Sequence, residues 1–466
     1  MEPHRNSSRG EAAPVSFASE QWSPAVLRDR DGSHGHFRVY LKLTRSPRIL
    51  RSARFFSKTE EFSRYQDQTV NTNALISARL PEVDQSVSID TLLGVAAQAT
   101  DILSQIRDAM LEPYPRKHAP TFTSAQVASL CGLDKQRFQY LTTKGDLPAG
   151  KSRGSGRSKE FTLEETIAWI LNTSTRMRRP AHARGRVLTV ANFKGGVAKT
   201  TTAVSAAQAL TLLGRKVLVV DCDPQGTTTQ LCGWAPDAEI TDEQTLLPLI
   251  YGDEVDLGYA VQTTYWHNLD LIPASSSLFD AEFEIPAKVL RDSTFAFWDI
   301  MNRGLQPLLG SYDVVIIDTP PALSYLTINA LLASDAILLP CPPEGLDFAS
   351  STQFWHLFSD IAKKLPGVAD SKRFDFVNVV LTKSKSDDVS RVVKGWLQKA
   401  YGDRVLPFEI PESTVPKGAS AQLSTVYDLS KPDGSVAAYH RYKDPLDRLA
   451  DHLDAQFVRA WSQEGV

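Results

Sequence analysis

Cysteine is scarce: Cys131, Cys222, Cys232 and Cys341 are the four in 466 residues, with no CxxC spacing and no histidine pair nearby. That excludes a disulfide-stapled secreted framework and leaves no zinc signature. Long apolar runs are missing as well, and a bilayer span needs about 18 consecutive apolar residues. The first thirty residues carry charges throughout and lack the apolar core of a secretory signal, so the expectation is a soluble, cytoplasmic chain with no membrane partner and reduced, mostly buried cysteines. No charge sign dominates: the net charge is -3, with 23% charged and 42% hydrophobic residues. These are ordinary globular values. At roughly 100 to 200 residues per domain, the length predicts two to four domains.

The small net charge hides a division. From Arg116 to Arg186 there are 14 Lys or Arg against 5 Asp or Glu, a local +9 that leaves -12 for the remainder. A basic segment in an acidic chain is the electrostatic footprint of a nucleic-acid reader, because each cation near a phosphate releases condensed counterions. Residues 1–85 are rich in Ser and Arg, with one strand-like patch at Phe37 to Leu43, and read as a poorly ordered leader or as an upstream-shifted start codon. Residues 86–115 hold one amphipathic helix, since Leu92, Val95, Ala96, Ala99, Ile102, Leu103, Ile106 and Met110 recur at three- and four-residue spacing. A long helix with one apolar stripe needs a partner: the next domain, or its own copy in a homodimer.

Residues 116–180 read as a DNA-binding unit. Thr123 caps a helix over Ser124 to Leu130, Gly132 supplies a turn, and Asp134 caps a second helix over Lys135 to Thr143. Lys135, Gln136, Arg137 and Gln139 are long polar donors on that second helix, while Phe138 and Leu141 face inward. The stretch from Lys151 to Lys159, with Arg153 and Arg157, reads as a basic glycine-tipped hairpin. A helix from Thr162 follows, with Glu165 completing a capping box. The segment resembles the winged helix-turn-helix of MerR-like regulators and of the longer ParA partition proteins.

Residues 184–466 open with a short apolar strand at Val187 to Ala191, a loop Asn192-Phe-Lys-Gly-Gly-Val-Ala-Lys-Thr-Thr202, and then a helix. Strand, glycine loop, helix is the setting of a phosphate-binding loop. Gly195, Gly196, Val197, Ala198, Lys199, Thr200 and Thr201 then form the cradle, its backbone N–H groups and helix dipole turned to the anion. Lys199 is expected on the β- and γ-phosphates of ATP, and Thr200 on Mg2+. The strand Val217 to Asp221, followed by Cys-Asp223-Pro-Gln-Gly, ends in two carboxylates, and Tyr312-Asp-Val-Val-Ile-Ile-Asp318-Thr-Pro-Pro321 reads as a Walker B strand whose Asp318 holds magnesium through water. Further strand candidates are Leu269 to Ile272, Ala336 to Leu339, Phe376 to Leu381 and Val405 to Phe408. Together they predict an α/β fold: a doubly wound, mostly parallel sheet forming a P-loop ATPase domain, preceded by an α-helical winged helix-turn-helix domain.

The extra lysine, Lys194, before the glycine pair makes the loop a deviant Walker A motif, and with the two aspartate motifs the sequence resembles the ParA/MinD family of ATPases from residue 184 to the end. That resemblance implies that Lys194 reaches the partner's ATP across a nucleotide-sandwich homodimer, that Asp223 positions the attacking water, and that Asp221 helps hold the metal shell. It makes Lys194, Asp223 and Lys199 the catalytic set, and Thr200, Asp221 and Asp318 the metal set. The loops 340–347 and 410–418 look like those that close over the base and the dimer face. In partition ATPases a basic surface near the C-terminus binds DNA, which points to Arg441 and Lys443.

The leading function is a ParA-type partition ATPase of slow intrinsic turnover. Its ATP dimer would coat nucleoid DNA, a centromere-bound ParB-type partner would stimulate hydrolysis, and its winged segment would repress its own operon at an operator. The alternative is a nucleotide-switched transcriptional repressor without a segregation role. A MinD-like membrane ATPase is disfavoured, because the final helix sets Leu446, Leu449, Leu453, Phe457 and Trp461 against Asp447, Asp451 and Asp454, and an acidic face is repelled by anionic lipid.

Overall fold

A computed structural model describes residues 86–111, 117–152, 159–413, 415, 423–429 and 435–464. The leader, Arg153 and Arg157 lie outside the described residues, as do the side chains of Leu103, Ile106 and Met110.

Helix α1 (Ile89–Leu111) forms over the stretch whose spacing predicted it, with the Ser88 hydroxyl accepting from the Thr91 N–H at 3.1 Å. Leu92, Val95 and Ile102 on its stripe remain at least half exposed.

A small layer follows, made of β1 (Phe122–Thr123), α2 (Ser124–Leu130), α3 (Lys135–Lys144), β2 (Lys151–Ser152), β3 (Lys159–Phe161) and α4 (Leu163–Thr173). Local chemistry sets each start. Thr123 and Gln126 form a reciprocal capping box, Asp134 accepts from the Arg137 N–H, and Thr162 pairs with Glu165 in a second box. Each cap is worth about 1 kcal/mol. Gly132 takes φ +65 at the turn, which costs a glycine little. The strands form an antiparallel sheet in the order β1-β3-β2. Phe138 stacks on Trp169 at 4.5 Å, beside Phe161, Val127 and Ile170, and this closes a core of its own. Phe138 is buried and Leu141 packs against that core.

The large sheet holds β4 (Arg186–Val190), β5 (Val217–Asp221), β6 (Gln262–Thr263), β7 (Leu269–Ile272), β8 (Val314–Asp318), β9 (Ala336–Cys341), β10 (Phe376–Ser384) and β11 (Val405–Pro411). Its order is β11-β10-β9-β4-β8-β5-β7-β6, parallel throughout except for the short edge strand β6, which pairs antiparallel with β7. The sequence reading missed β6, because two polar residues carry no period. The continuous apolar runs have a simple cause: the strands are covered on both faces. Leu188, Val219 and Ile316 point into one core with Ala203, Ala207 and Leu210, whereas Val187, Leu218 and Ile317 point into the opposite one. All four cysteines are buried and free.

The first of those cores is capped by α5 (Lys199–Thr211) and by α6 (Val436–Gln463), the last helix. Leu446, Leu449, Leu453, Phe457 and Trp461 are all buried, so the apolar face of α6 packs on the domain; Asp454, expected on the opposite acidic face, is buried with them because Arg215 pairs with it at 2.6 Å. The helix is capped at Ser435 and runs through Pro445, so Arg441 and Lys443 lie within it. No helix among the described residues is long and apolar enough to cross a membrane.

The basic stretch does not all face outward. Arg176 pairs with Asp451 and Asp454, Arg179 with Asp313, Arg184 with Asp335, and Lys117 with Asp428. Much of the local +9 therefore neutralises acids of the ATPase sheet and its last helix. A charge count along the chain has no means of seeing partners a hundred residues away.

Candidate nucleotide site

The strand order reverses around β4, whose neighbours are β9 and β8, and ligands of open α/β sheets sit at the carboxyl ends of strands at such a point. The loop 192–198 leaves β4 there. Its shape is held from three sides: the Asn192 amide donates to the Pro340 carbonyl at 2.8 Å, the Asn192 side-chain oxygen accepts from the Lys194 N–H at 3.1 Å, and the Thr382 hydroxyl donates to the Val197 carbonyl at 2.9 Å. Gly196 takes φ +74, and Ala198, the residue before α5, is left-handed at φ 72. For a residue with a Cβ that conformation costs about 1 kcal/mol, so the loop stores strain at Ala198. No side chain caps α5, and its first N–H groups are left for a ligand.

Gly195, Gly196, Ala198, Lys199, Thr200, Thr201 and Asp223 line one cavity of about 740 Å³. Val197 does not, being buried against Thr382. Lys199 curls back so that its Nζ donates to the Lys194 carbonyl at 3.1 Å, and burial lowers its pKa against the pull of Asp318 and Asp223. Asp223 accepts from the Gln225 N–H at 3.0 Å.

Asp221 and Asp318 are opposite each other in the β5–β8 register and fully buried, one layer behind the cavity wall. Asp221 accepts from the Thr229 N–H and hydroxyl at 2.9 and 2.8 Å and from the Asp223 N–H at 3.1 Å. Asp318 Oδ2 accepts from the Thr228 hydroxyl at 2.8 Å, while its Oδ1 has no hydrogen-bond partner among the described residues. Burial is the main reason that both carboxyls titrate above the ordinary range; the Asp318 carboxylate adds to the rise at Asp221, whereas the Thr200 and Thr228 hydroxyls oppose it at Asp318.

Lys194 stands apart from this group. Its Nζ meets Asp347 Oδ2 at 2.7 Å, and Asp347 is buried on α7 (Gly345–Lys364). The sequence reading missed Asp347, Asn192, Thr228, Thr229 and Thr382. Asn192 stood inside the phosphate-loop stretch and Asp347 at the end of the loop 340–347, but the three threonines carry no local signal.

The DNA-facing candidates divide. Lys135, Gln136, Arg137 and Gln139 are all exposed on α3, and Arg137 lies over the exposed ring of Tyr140, a residue the sequence reading passed over. Arg441 is exposed, but Lys443 is not on an open basic surface: it is held by both oxygens of Asp447 at 2.7 and 2.6 Å and lies over Tyr427. The helical spacing of four places that acid under it.

Residues 185–368 match the family model described as an AAA domain. Protein SopA of Escherichia coli K12 is 32% identical over 326 residues, 68% of this chain and 82% of that protein. The chromosome partitioning protein ParA of Caulobacter vibrioides is 32% identical over 273 residues, 57% of this chain and 96% of its own. A solved structure titled "Partition Protein" superposes with a TM-score of 0.56 over 78% of this chain and 98% of that one, at 20% identity. With the deviant phosphate loop, the two aspartate strands and a SopA relative matched over most of its length, the chain belongs to the ParA/MinD family as a ParA-type partition ATPase, a nucleotide hydrolase.

Proposed function

We propose that this ATPase binds ATP with Mg2+ at the carboxyl rim of the sheet, closes as a homodimer that coats nucleoid DNA without sequence preference, and turns over slowly until a ParB-type partner stimulates it. The observation that carries this reading is the buried Asp221–Asp318 pair, one oxygen of which has no hydrogen-bond partner among the described residues, behind a glycine loop and Lys199. A buried unpaired acceptor is costly unless something fills it. The residues fit the cofactors: a Cβ at Gly196 would meet nothing within 4 Å, so the loop leaves an open concave cradle, and the cavity has room for a nucleotide.

In this reading Gly195 to Thr201 and Lys199 hold the phosphates, Thr200 and Asp318 hold the cation, and Asp221 fixes that shell through Thr229. A bound magnesium ion supplies charge neutralisation for the phosphate oxygens. Asp223 orients the water that attacks, and its own tether to the Gln225 N–H limits its swing. Lys194 serves the partner's nucleotide, and to do so it must leave Asp347.

The exposed Lys135, Gln136, Arg137 and Gln139, with Arg153 and Arg157, are proposed as the reader of the protein's own operator, through which it represses its operon. Arg441 is the remaining candidate for non-specific DNA. Residues 86–115, 116–180 and 184–466 are the proposed dimerisation, DNA-reading and ATPase parts, and the cell address is the nucleoid within the cytoplasm.

The test is binding to random-sequence DNA at near-physiological salt with ATP, ADP or no nucleotide, beside a fragment from upstream of the gene. Binding of random DNA with ATP alone supports the partition cycle. Binding of the upstream fragment only, whatever the nucleotide, replaces it with a nucleotide-switched repressor.

A further inference from the structure

The cavity extends well past the phosphate loop. Asp223 and Pro321 stand at one end, beyond β5 and β8, and the glycine loop after β4 lies between. The other end is walled by Thr382 and Lys383 of β10, by Ile410 to Ser413 at the close of β11, and by Tyr442 of α6. Strand β11 is three places from β4, roughly 14 Å at ordinary strand spacing. If phosphates lie on the glycine loop, this far end is where the nucleoside belongs.

Tyr442 differs from the other tyrosines that the fold buries. Among the described residues these are Tyr312, Tyr427 and Tyr442. Tyr312 donates to Asp270 at 2.8 Å and Tyr427 donates to Asp447 at 2.8 Å. Tyr442 is 5% exposed, its ring packs in one core with Ile410, Val426 and Leu446, and its hydroxyl has no hydrogen-bond partner among the described residues. That hydroxyl is not one of the buried, unpartnered polar atoms among the described residues, so it keeps some exposure, and the space this residue lines is the cavity. Burial pushes its phenol up to about 12, so at neutral pH the group is a proton donor.

We propose that Tyr442 is a nucleoside-contacting residue: its hydroxyl donates to an acceptor on the base or ribose of the bound nucleotide, and the last helix thereby senses whether the site is filled. The proposal rests on the nucleotide reading above. A sequence scan finds Tyr442 only as part of a basic-aromatic cluster, because the helix that carries it lies 240 residues beyond the phosphate loop and reaches the cavity through tertiary packing alone.

Calorimetry on the full chain with MgADP, MgATP and tripolyphosphate, for wild type and Tyr442→Phe, tests it. The ring and its packing are kept in that variant, and thermal melting without nucleotide should match wild type or exceed it, since only an unpaired hydroxyl is lost. The expected result is roughly threefold to tenfold weaker ADP and ATP binding, the size of one net hydrogen bond, with tripolyphosphate affinity unchanged. Equal ADP affinities in the two proteins would overturn the assignment. So would an equal loss for tripolyphosphate, which would mean that the substitution acts on the phosphate loop. If wild type binds neither nucleotide, the nucleotide reading itself fails and Tyr442 falls with it; a wild type that binds while the variant is unaltered removes Tyr442 alone.

Discussion

At the amino rim of the large sheet, Arg184 donates to Asp335 at 2.9 Å, Arg186 meets Glu464 and Asp375 at 3.0 and 3.3 Å, and Lys372 donates to the carbonyls of Leu332 and Ser334 at 2.7 and 2.6 Å. At the carboxyl rim, Asp221, Asp223, Asp318, Lys194 and Lys199 gather around the end of β4. Both rims border a cavity, of about 530 Å³ at the amino end and about 740 Å³ at the carboxyl end. The residue types and the volumes are similar, but the pairing is not. At the amino rim each acid stands against an arginine, although Arg186 Nε and Glu464 Oε2 make no hydrogen bond among the described residues. At the carboxyl rim two buried carboxylates, Asp221 and Asp318, face each other with no arginine between them. Neither volume nor the number of charges marks a site here; the placing of like charges against each other does.

Substitutions at the two rims should separate accordingly. The largest effect is expected from Lys199→Ala, which should weaken ATP binding by more than about a hundredfold, as charge-assisted contacts to phosphate are lost, while the melting temperature stays close to wild type. Calorimetry and a thermal melt read the two quantities. Arg186→Gln should do the reverse. It leaves Asp375 and Glu464 without their cation and should cost roughly 2 kcal/mol of stability, between the figures for surface and buried pairs because those acids are about one third exposed. Nucleotide affinity should stay within about twofold. A loss of nucleotide binding in Arg186→Gln would erase the distinction between the rims.

The smallest effect is one of pH. Asp221 and Asp318 titrate above the ordinary carboxylate range in the fold. The folded protein therefore holds protons that the unfolded chain has released, and these two groups cost stability as pH rises from the ordinary carboxylate range through neutrality. The nucleotide-free protein should melt lower at pH 8 than at pH 6, and saturating MgATP should narrow the gap. A gap that MgATP leaves unchanged would assign the dependence to other groups.

How much of this was legible in the sequence follows from how local each cause is. The caps at Thr123, Asp134 and Thr162 act over three residues, so the small helices could be placed to within a residue. The strands β4, β5 and β8 are buried on both faces and end in a glycine loop or an aspartate, so their runs and their ends are both visible. Asp347 was not legible, since its meaning comes from Lys194, 153 residues earlier. The same holds for Arg176, whose acid is Asp454. Lys443 teaches the converse: Asp447 is only four residues away, but that spacing pairs the two side chains only because the segment is helical.

The proposed cycle requires hydrolysis at the carboxyl rim of a dimer. The most direct measurement is ATP turnover by wild type and Asp223→Ala, with sedimentation of both proteins in ATP. Wild type should hydrolyse slowly and form a dimer that decays as ATP is spent, whereas Asp223→Ala should bind ATP, lose turnover and remain dimeric. Wild-type turnover in Asp223→Ala would contradict the account.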